Sequence, residues 1–310
     1  MAPPALDDVF MHASSDSVTA CIPYYQCKSH IRTAVMSLLS QTHRDLTVVV
    51  INDGDSDPPW GALADIHDPR LIRFNLQINR GTYFALETCL RATCTPYFLV
   101  QDADDWSDPR RVELLIRRLK AHGADYATST QPQYRLEPHG KLSFAFLKWP
   151  SPPDPLLKPL FSHRICHHGL FRTQSLRAVG GYYGGFRVGY DMLVMNFMMM
   201  TGRVSHIPKP LYHRVIRQMS LSHCDSKSRQ AQYVITQIIP HMYSRAYGFY
   251  REHQCGRISS ERFLAEIHSI AATYVTAADH AALREATDRL SACFLSSPGC
   301  RNLARLGGSS

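Results

Sequence analysis

From residue 18 to about 122 the chain alternates short, β-branched apolar runs with longer amphipathic stretches, and this alternation constrains the fold more than any other feature. "VTACI" (18–22) and "LTVVVI" (46–51) are nearly unbroken, the pattern of strands covered on both faces. Between them "SHIRTAVMSLLSQ" places Ile31, Val35, Leu38 and Leu39 at helical spacing. A weaker strand at "LIRFN" (71–75), a helix at about 82–92, the strand "YFLV" (97–100) and a helix at about 109–121 follow. Strand, helix, strand, helix implies βαβ units, hence an α/β fold with a mainly parallel, Rossmann-like sheet flanked by helices.

Beyond residue 122 the pattern loosens. "LKWPSPPDPLLKP" carries five prolines within 150–159 and predicts an exposed extended loop that could serve as a lid. "RICHHGLF" reads as a strand, "RTQSLRAVGG" as a helix stopped by glycine, and 190–201 as a Met-rich helix packed in the core. On a strand His167 and His168 would point opposite ways, which speaks against a shared ligand role. A strand at about 203–207 precedes "PLYHRVIRQMSLS", and from about 226 to 295 three helices are predicted, the second opened by Ser259 or Ser260 with Glu261 close behind. The expected division is a flexible N-terminus (1–16), a main domain (17–222, with halves 17–122 and 123–222), a C-terminal helical region (223–298) and a disordered tail (299–310).

With 310 residues, 45% of them hydrophobic, the chain can bury a full core. Its net charge of +8 is scattered instead of gathered in a Lys/Arg block, so no nucleic-acid arm is indicated and an anionic ligand fits better. No run approaches about 18 apolar residues and no basic leader precedes an apolar stretch, so neither a membrane span nor a signal peptide is expected, and a cytoplasmic location follows. The nine cysteines include no C-x-x-C pair, which argues for reduced, mostly buried thiols over a disulfide framework or zinc ribbon.

In an open α/β sheet, ligands bind at the carboxyl ends of the strands. Three polar stretches fall there: "PYYQ" after the first strand, "NDGDSD" after the second and "QDADD" after the fourth. The last crowds Asp102, Asp104 and Asp105 into four positions, a cluster whose mutual repulsion calls for a cation. Hard oxygen ligands of this kind suit Mg²⁺ or Mn²⁺. Asp108, before Pro109, reads as a helix N-cap.

"VTACIPYYQ", "SLLSQTHRDLTVVVINDGDSD", "NRGTYFAL", "YFLVQDADDWSDPRRV" and "PLYHRVIRQMSLS" together resemble the successive motifs of the family 2 inverting glycosyltransferases of GT-A fold, over about residues 17 to 222. The resemblance implies a nucleotide-sugar donor, most often a UDP-sugar, and a hydroxylated acceptor, for which a small metabolite and a glycan precursor both stay open. It implies that Pro23 and Tyr24 lie beside the nucleobase and that Asp53 accepts a hydrogen bond from the uracil ring, Asn52 replacing the commoner first acid. It places Asp102 near the ribose, Asp104 on the divalent cation, with Asp105 extending the triplet, and Trp106 near the donor sugar. Arg80 and the group His213, Arg214 and Arg217 are candidates for the positive charge that a departing diphosphate needs. Many relatives carry a metal- or phosphate-binding histidine where Arg217 stands, so Arg217 is a candidate phosphate contact and His213 a candidate metal ligand.

Inverting transfer also needs a base for the acceptor hydroxyl. The family's "ED-x-D-L" corresponds here to "FRVGYDMLVMNF", with Val188 and Gly189 in place of the acidic pair and Asp191 the remaining acid. Asp191 is either the base or a helix-capping carboxylate; Glu137 and Asp154, in polar loops, are weaker candidates. The histidine-rich stretch 163–168, ending in His168, is expected to line the pocket, and Trp149 to stack on an acceptor or anchor its loop. The missing acidic pair leaves a catalytically silent sugar-nucleotide-binding scaffold as the rival reading. A nucleotidyltransferase is less favoured, because "CIPYYQCKSH" lacks the glycines of a triphosphate-gripping loop. The C-terminal helices could cap the acceptor site or form a homodimer.

Overall fold

The computed structural model describes residues 15–148, 166–217 and 228–297. The Pro-rich stretch with Trp149 and Asp154, the end of "PLYHRVIRQMSLS" and the predicted tail lie outside them.

Strands β1 (Val18–Tyr24), β2 (Leu46–Asp53), β3 (Leu71–Leu76) and β4 (Tyr97–Val100) form a parallel block in the order β3-β2-β1-β4. Helices α1 (Lys28–Leu39) and α2 (Thr82–Ala92) are the crossovers. Side chains of β1 alternate between two buried clusters: Val18, Ala20, Ile22 and Tyr24 pack with α1, while Cys21 packs on the opposite side with α2. A two-residue strand β5 (Trp106–Ser107) and helix α3 (Arg111–His122) follow. Arg110 stands at the N-cap of α3, and Asp108 is not the cap: its Oδ1 instead accepts from the Arg110 amide at 2.9 Å, a turn contact one residue before the helix starts.

The irregular middle contains a long strand the apolar pattern does not announce. Strand β6 (Tyr126–Leu136) is buried over its first eight residues although they include Thr128, Ser129, Thr130, Gln131 and Gln133. It pairs with β7 (Leu142–Lys148), β8 (Leu170–Arg172), β9 (Val204–Pro210) and β10 (Tyr212–Ile216). Antiparallel pairing of β8 with both β4 and β6 joins the two halves into one mixed sheet. Among the described residues of "RICHHGLF" the strand begins at Leu170 and runs to Arg172, and His167 and His168 sit in a bend before it. Without strand alternation their rings come to 4.0 Å of each other, which overturns the expectation that they diverge.

Helices α4 (Thr173–Ala178) and α5 (Tyr190–Thr201) follow β8, and the methionines 192, 195, 198 and 200 of α5 are buried as predicted. The first C-terminal helix is split into α6 (Arg229–Tyr233), a π-helical turn at Val234–Ile238 and α7 (Ile239–Gln254). Pro240, with no N–H to give to the preceding turn, accounts for the break. Helix α8 (Ser260–Ala271) is capped by the Ser259 hydroxyl, and α9 (Ala277–Ser296) opens with a capping box between Thr276 and Asp279. One apolar cluster runs from Cys21 to Leu290, so these helices share the core of the sheet. At the other end Asp16, in the segment expected to be flexible, pairs with Lys120 at 2.5 Å. Among the described residues no helix is long and apolar enough to cross a membrane. None of the seven described cysteines is in a disulfide; Cys21, Cys27 and Cys89 are buried but Cys94 and Cys255 are exposed, so "mostly buried" does not hold.

Candidate functional site

Strands β1, β2 and β4 are adjacent and parallel, so the three polar stretches open along one edge of the sheet. Asp53 ends β2 and is buried. Its carboxylate accepts from the amides of Arg80 at 2.8 Å and Gly81 at 2.7 Å. Gly54 makes this approach feasible: its φ is +69°, and a Cβ there would overlap the backbone of Ile78 and Asn79. Burial pushes the Asp53 pKa up to about 6, against the pull of those two amides and of the Arg187 and Arg80 charges. Beside it, the Asn52 side chain donates to Asn75 Oδ1 at 3.0 Å and accepts from the Asp55 amide, so the asparagine stitches the loop instead of adding charge. Pro23 pairs with Ile51 within the sheet, and the buried Tyr24 donates its hydroxyl to the Asp57 carbonyl at 3.3 Å. The Arg80 side chain turns to the C-terminal region: its guanidinium lies 3.7 Å from Asp279 and 5.0 Å over the Phe84 ring.

The acidic triplet after β4 is held from three sides. Asp105 is almost fully buried and accepts from the Tyr212 hydroxyl at 2.5 Å and the Val215 amide at 2.7 Å. Burial, then the charges of Asp104 and Asp102, raise its pKa well above the carboxylate range. Asp104 receives the Nε of Arg217 at 2.6 Å. His168 Nε2 lies 2.8 Å from Asp102 Oδ2, and the Asp102 amide donates to the Tyr212 oxygen at 3.1 Å. Tyr212 is therefore the hub of the cluster, its ring stacked on His168 at 4.6 Å and covered by the Arg111 guanidinium at 4.4 Å. Arg111 is itself wholly buried and donates to Gln101, Ser107 and the Val100 carbonyl; burial lowers its pKa to about 10. Burial works against the charge of Arg214, yet Asp105 and Asp102 raise its pKa above the ordinary value, which places it in the same field.

His213 stands apart from the carboxylates. On β10 it alternates with Tyr212, stacks on Trp106 at 5.0 Å with an interplanar angle of 4°, and its Nδ1 lies 3.2 Å from the Tyr134 hydroxyl. Among the described residues two groups bring metal-ligating atoms within 4.8 Å of one another: Asp102, Asp104 and Asp105, and Asp102, His167 and His168; His213 joins neither. The first group fits a hard dication by its all-oxygen donor set, with Asp102 and Asp104 the more exposed pair and Asp105 tied back to Tyr212.

Asp191 lies in the first turn of α5, whose N-cap is Gly189, so capping is not its task. Its Oδ1 accepts from the Tyr83 hydroxyl at 2.5 Å, and its Oδ2 is 3.9 Å from His167 Nε2. Burial and the neighbouring His168 lower the His167 pKa to about 4, which keeps that imidazole neutral. Glu137 lies in the β6–β7 hairpin, where it accepts from the Ser143 hydroxyl. Tyr83, Tyr212 and Arg111 are site-building residues that lie within the quoted motifs but are not singled out by them, while His167 falls in the histidine-containing stretch expected to line the pocket. A signal for Arg111 was present, since it shares helical spacing with Leu115 and Leu119 on the buried face of α3.

A family model for glycosyl transferase family 2 matches residues 19–180, just over half of the chain. The chain belongs to that family. It is 30% identical over 208 residues to a chondroitin synthase of Escherichia coli, 64% of this chain and 29% of that protein. It is 25% identical over 226 residues to glycosyltransferase GlyA of Streptococcus pneumoniae, 67% of this chain and 32% of that protein. The chain thus spans about a third or less of these relatives. The crystal structure of S. aureus TarS 1-349 in complex with UDP-GlcNAc has the same fold, with a TM-score of 0.58 at 17% identity, covering 91% of this chain and 82% of that one. The GT-A-like architecture expected from the motifs is accordingly the architecture found.

Proposed function

We propose that the protein transfers a sugar with inversion from a nucleotide donor, a UDP-sugar, to an acceptor hydroxyl. The observation that carries this reading is the convergence of Asp53, the acidic triplet and Asp191 at one sheet edge, each held by named partners. The UDP-GlcNAc complex of TarS supports the donor class. Pro23, Tyr24 and the ionised Asp53 receive the base, Asp53 as acceptor for a ring N–H. Asp102 faces the ribose. Asp102 and Asp104 would hold Mn²⁺ or Mg²⁺, which supplies counter-charge for a leaving diphosphate. Arg217, mostly buried beside Asp104, adds a fixed positive charge to the same end. Trp106 and His168 flank the donor sugar and the acceptor.

The chemistry is one displacement. A lone pair of the acceptor oxygen attacks the anomeric carbon, the bond from that carbon to the diphosphate oxygen breaks, and the nucleoside diphosphate leaves with the electron pair. The hydroxyl proton passes to the Asp191 carboxylate, which the Tyr83 hydroxyl orients through Oδ1. The neutral His167 beside Oδ2 fits this role, since an imidazolium there would compete for the carboxylate. A polymer- or glycan-precursor hydroxyl is the acceptor class that the chondroitin synthase relative favours.

Donor hydrolysis and transfer, measured over a panel of nucleotide sugars with and without Mn²⁺, test the reading. Asp191→Asn is expected to bind UDP as the wild type does and to lose transfer. Intact UDP binding by the wild type with no turnover on any donor would favour the silent scaffold.

A further inference from the structure

We propose that helix α9, which lies wholly outside the family-matched segment 19–180, is a working part of the nucleotide site: through Asp279 and Arg289 it positions the loop 75–81 and so sets donor affinity. The inference rests on the donor reading above, in which that loop holds the base-binding Asp53.

One helix grips the loop at both ends. At its start, Arg289 donates to the Asn75 carbonyl at 3.2 Å and lies 5.3 Å over the Phe74 ring. Asn75 in turn accepts on its side chain from Asn52 at 3.0 Å and Trp60 at 3.2 Å, so its place fixes the tip of β2. At the loop's far end, Asp279 draws the Arg80 guanidinium to 3.7 Å, while the Arg80 and Gly81 amides face Asp53. Asp279 has little freedom to drift. Its Oδ2 closes the capping box with Thr276, and its Oδ1 accepts from the Tyr183 hydroxyl at 3.0 Å. The helix is anchored by buried Leu283, Ala286 and Leu290, packed toward α2 and β3.

The physical consequence is preorganisation. Two amides aimed at Asp53 set the orientation of its carboxylate, and a loop already fixed loses less freedom when the ligand arrives. A partly exposed ion pair contributes little to global stability. Loss of the Asp279 charge should therefore show in ligand affinity more than in melting temperature.

The test is titration calorimetry of the full chain with UDP in the presence of Mn²⁺, paired with thermal melting. Asp279→Asn and Arg289→Gln are each expected to raise the UDP Kd about fivefold with nearly unchanged melting, and Asp279→Glu, which restores the charge and suits a capping box, to return it to within about twofold. Thr276→Ala removes the cap hydroxyl but leaves Asp279 held by the residue 276 amide and the Tyr183 hydroxyl, and is expected to lower the melting temperature and leave the Kd alone. Wild-type Kd values in both Asp279→Asn and Arg289→Gln, or a Thr276→Ala chain that weakens UDP as much as Asp279→Asn does, would overturn the inference alone. A wild-type chain indifferent to UDP would overturn the donor reading, and the inference with it.

Discussion

The Tyr83 hydroxyl, on α2, lies 2.5 Å from Oδ1 of Asp191 in the first turn of α5, joining the donor half of the sheet to the helix that carries the proposed base. The phenol donates to the carboxylate and so orients it. Tyr83→Phe should keep the ring packing against Tyr190 while releasing Asp191. We expect kcat to fall about tenfold, a part of the roughly 10²–10⁴-fold that a well-placed general base contributes, with UDP affinity unchanged. Steady-state kinetics beside UDP calorimetry check this, and an equal loss in both would move Tyr83 from positioning the base to supporting the fold.

Asp53 makes stability and ligand binding respond to pH in opposite directions. Its folded pKa of about 6 stands above its ordinary value because burial outweighs its hydrogen bonds, a displacement worth roughly 3 kcal/mol. A raised carboxylate contributes stability that is complete below its unfolded pKa and is gone above about pH 6. The ionised form is the one that accepts the base N–H in the proposed complex. UDP binding should therefore weaken about tenfold per pH unit below pH 6, while the Asp53 contribution to stability grows. Calorimetry between pH 5 and 8 reads the first effect, and a pH-independent Kd would remove Asp53 from the base pocket.

Arg111 and Tyr212 form the buried floor under the acidic triplet. The guanidinium has no exposed surface and donates to Gln101, Ser107 and Val100 while covering the tyrosine ring. Replacing it by Ala strands those acceptors and opens a cavity, so a loss of about 3–5 kcal/mol is expected. Tyr212→Phe removes only the hydroxyl shared by Asp105 and the Asp102 amide, and a loss of about 1–3 kcal/mol follows. Urea denaturation of the two variants should preserve that order.

How much of this was legible in the residues depends on where each element's burial comes from. Strands β1, β2 and β4 bury apolar side chains on both faces, so apolar runs announced them, and their polar ends marked the site. Strand β6 buries threonine, serine and glutamine in the middle of the sheet, and hydrophobic patterning passes over such a strand. Part of its polar set is met by distant chain, as where the Thr128 hydroxyl donates to the His168 carbonyl and Thr130 Oγ1 lies 3.2 Å from His206 Nε2, while Ser129 Oγ and Gln131 Oε1 have no partner among the described residues. The same distance hid Tyr83, whose partner is 108 residues away, and Tyr212, whose partner Asp105 is 107 away. The acids themselves were readable because several fall within a few positions. Among their supporting groups Arg217 and Arg214 were readable from the late motif, whereas Arg111 and the hydroxyls of Tyr83 and Tyr212 were not, because tertiary packing alone brings them there. The ion pair of Arg80 was hidden for a related reason, as its counter-ion Asp279 lies in a helix beyond the recognisable motifs.

Asp104 and Arg217 form an ion pair at 2.6 Å, both mostly buried, at the end of the site assigned to the diphosphate. The two residues make separable predictions. Asp104→Ala removes a hard oxygen donor and should abolish metal-dependent turnover, with Mn²⁺ affinity in calorimetry falling by about tenfold or more. Arg217→Ala removes a preorganised charge, for which a rate loss of about a hundredfold is expected. If the guanidinium acts on phosphate, the loss must depend on the phosphates of the ligand. UDP should then bind Arg217→Ala more weakly, while uridine binds it as it binds the wild type. Equal weakening of UDP and uridine would mean that Arg217 serves only to hold Asp104 in place, and that the departing diphosphate draws its counter-charge from elsewhere in the triplet.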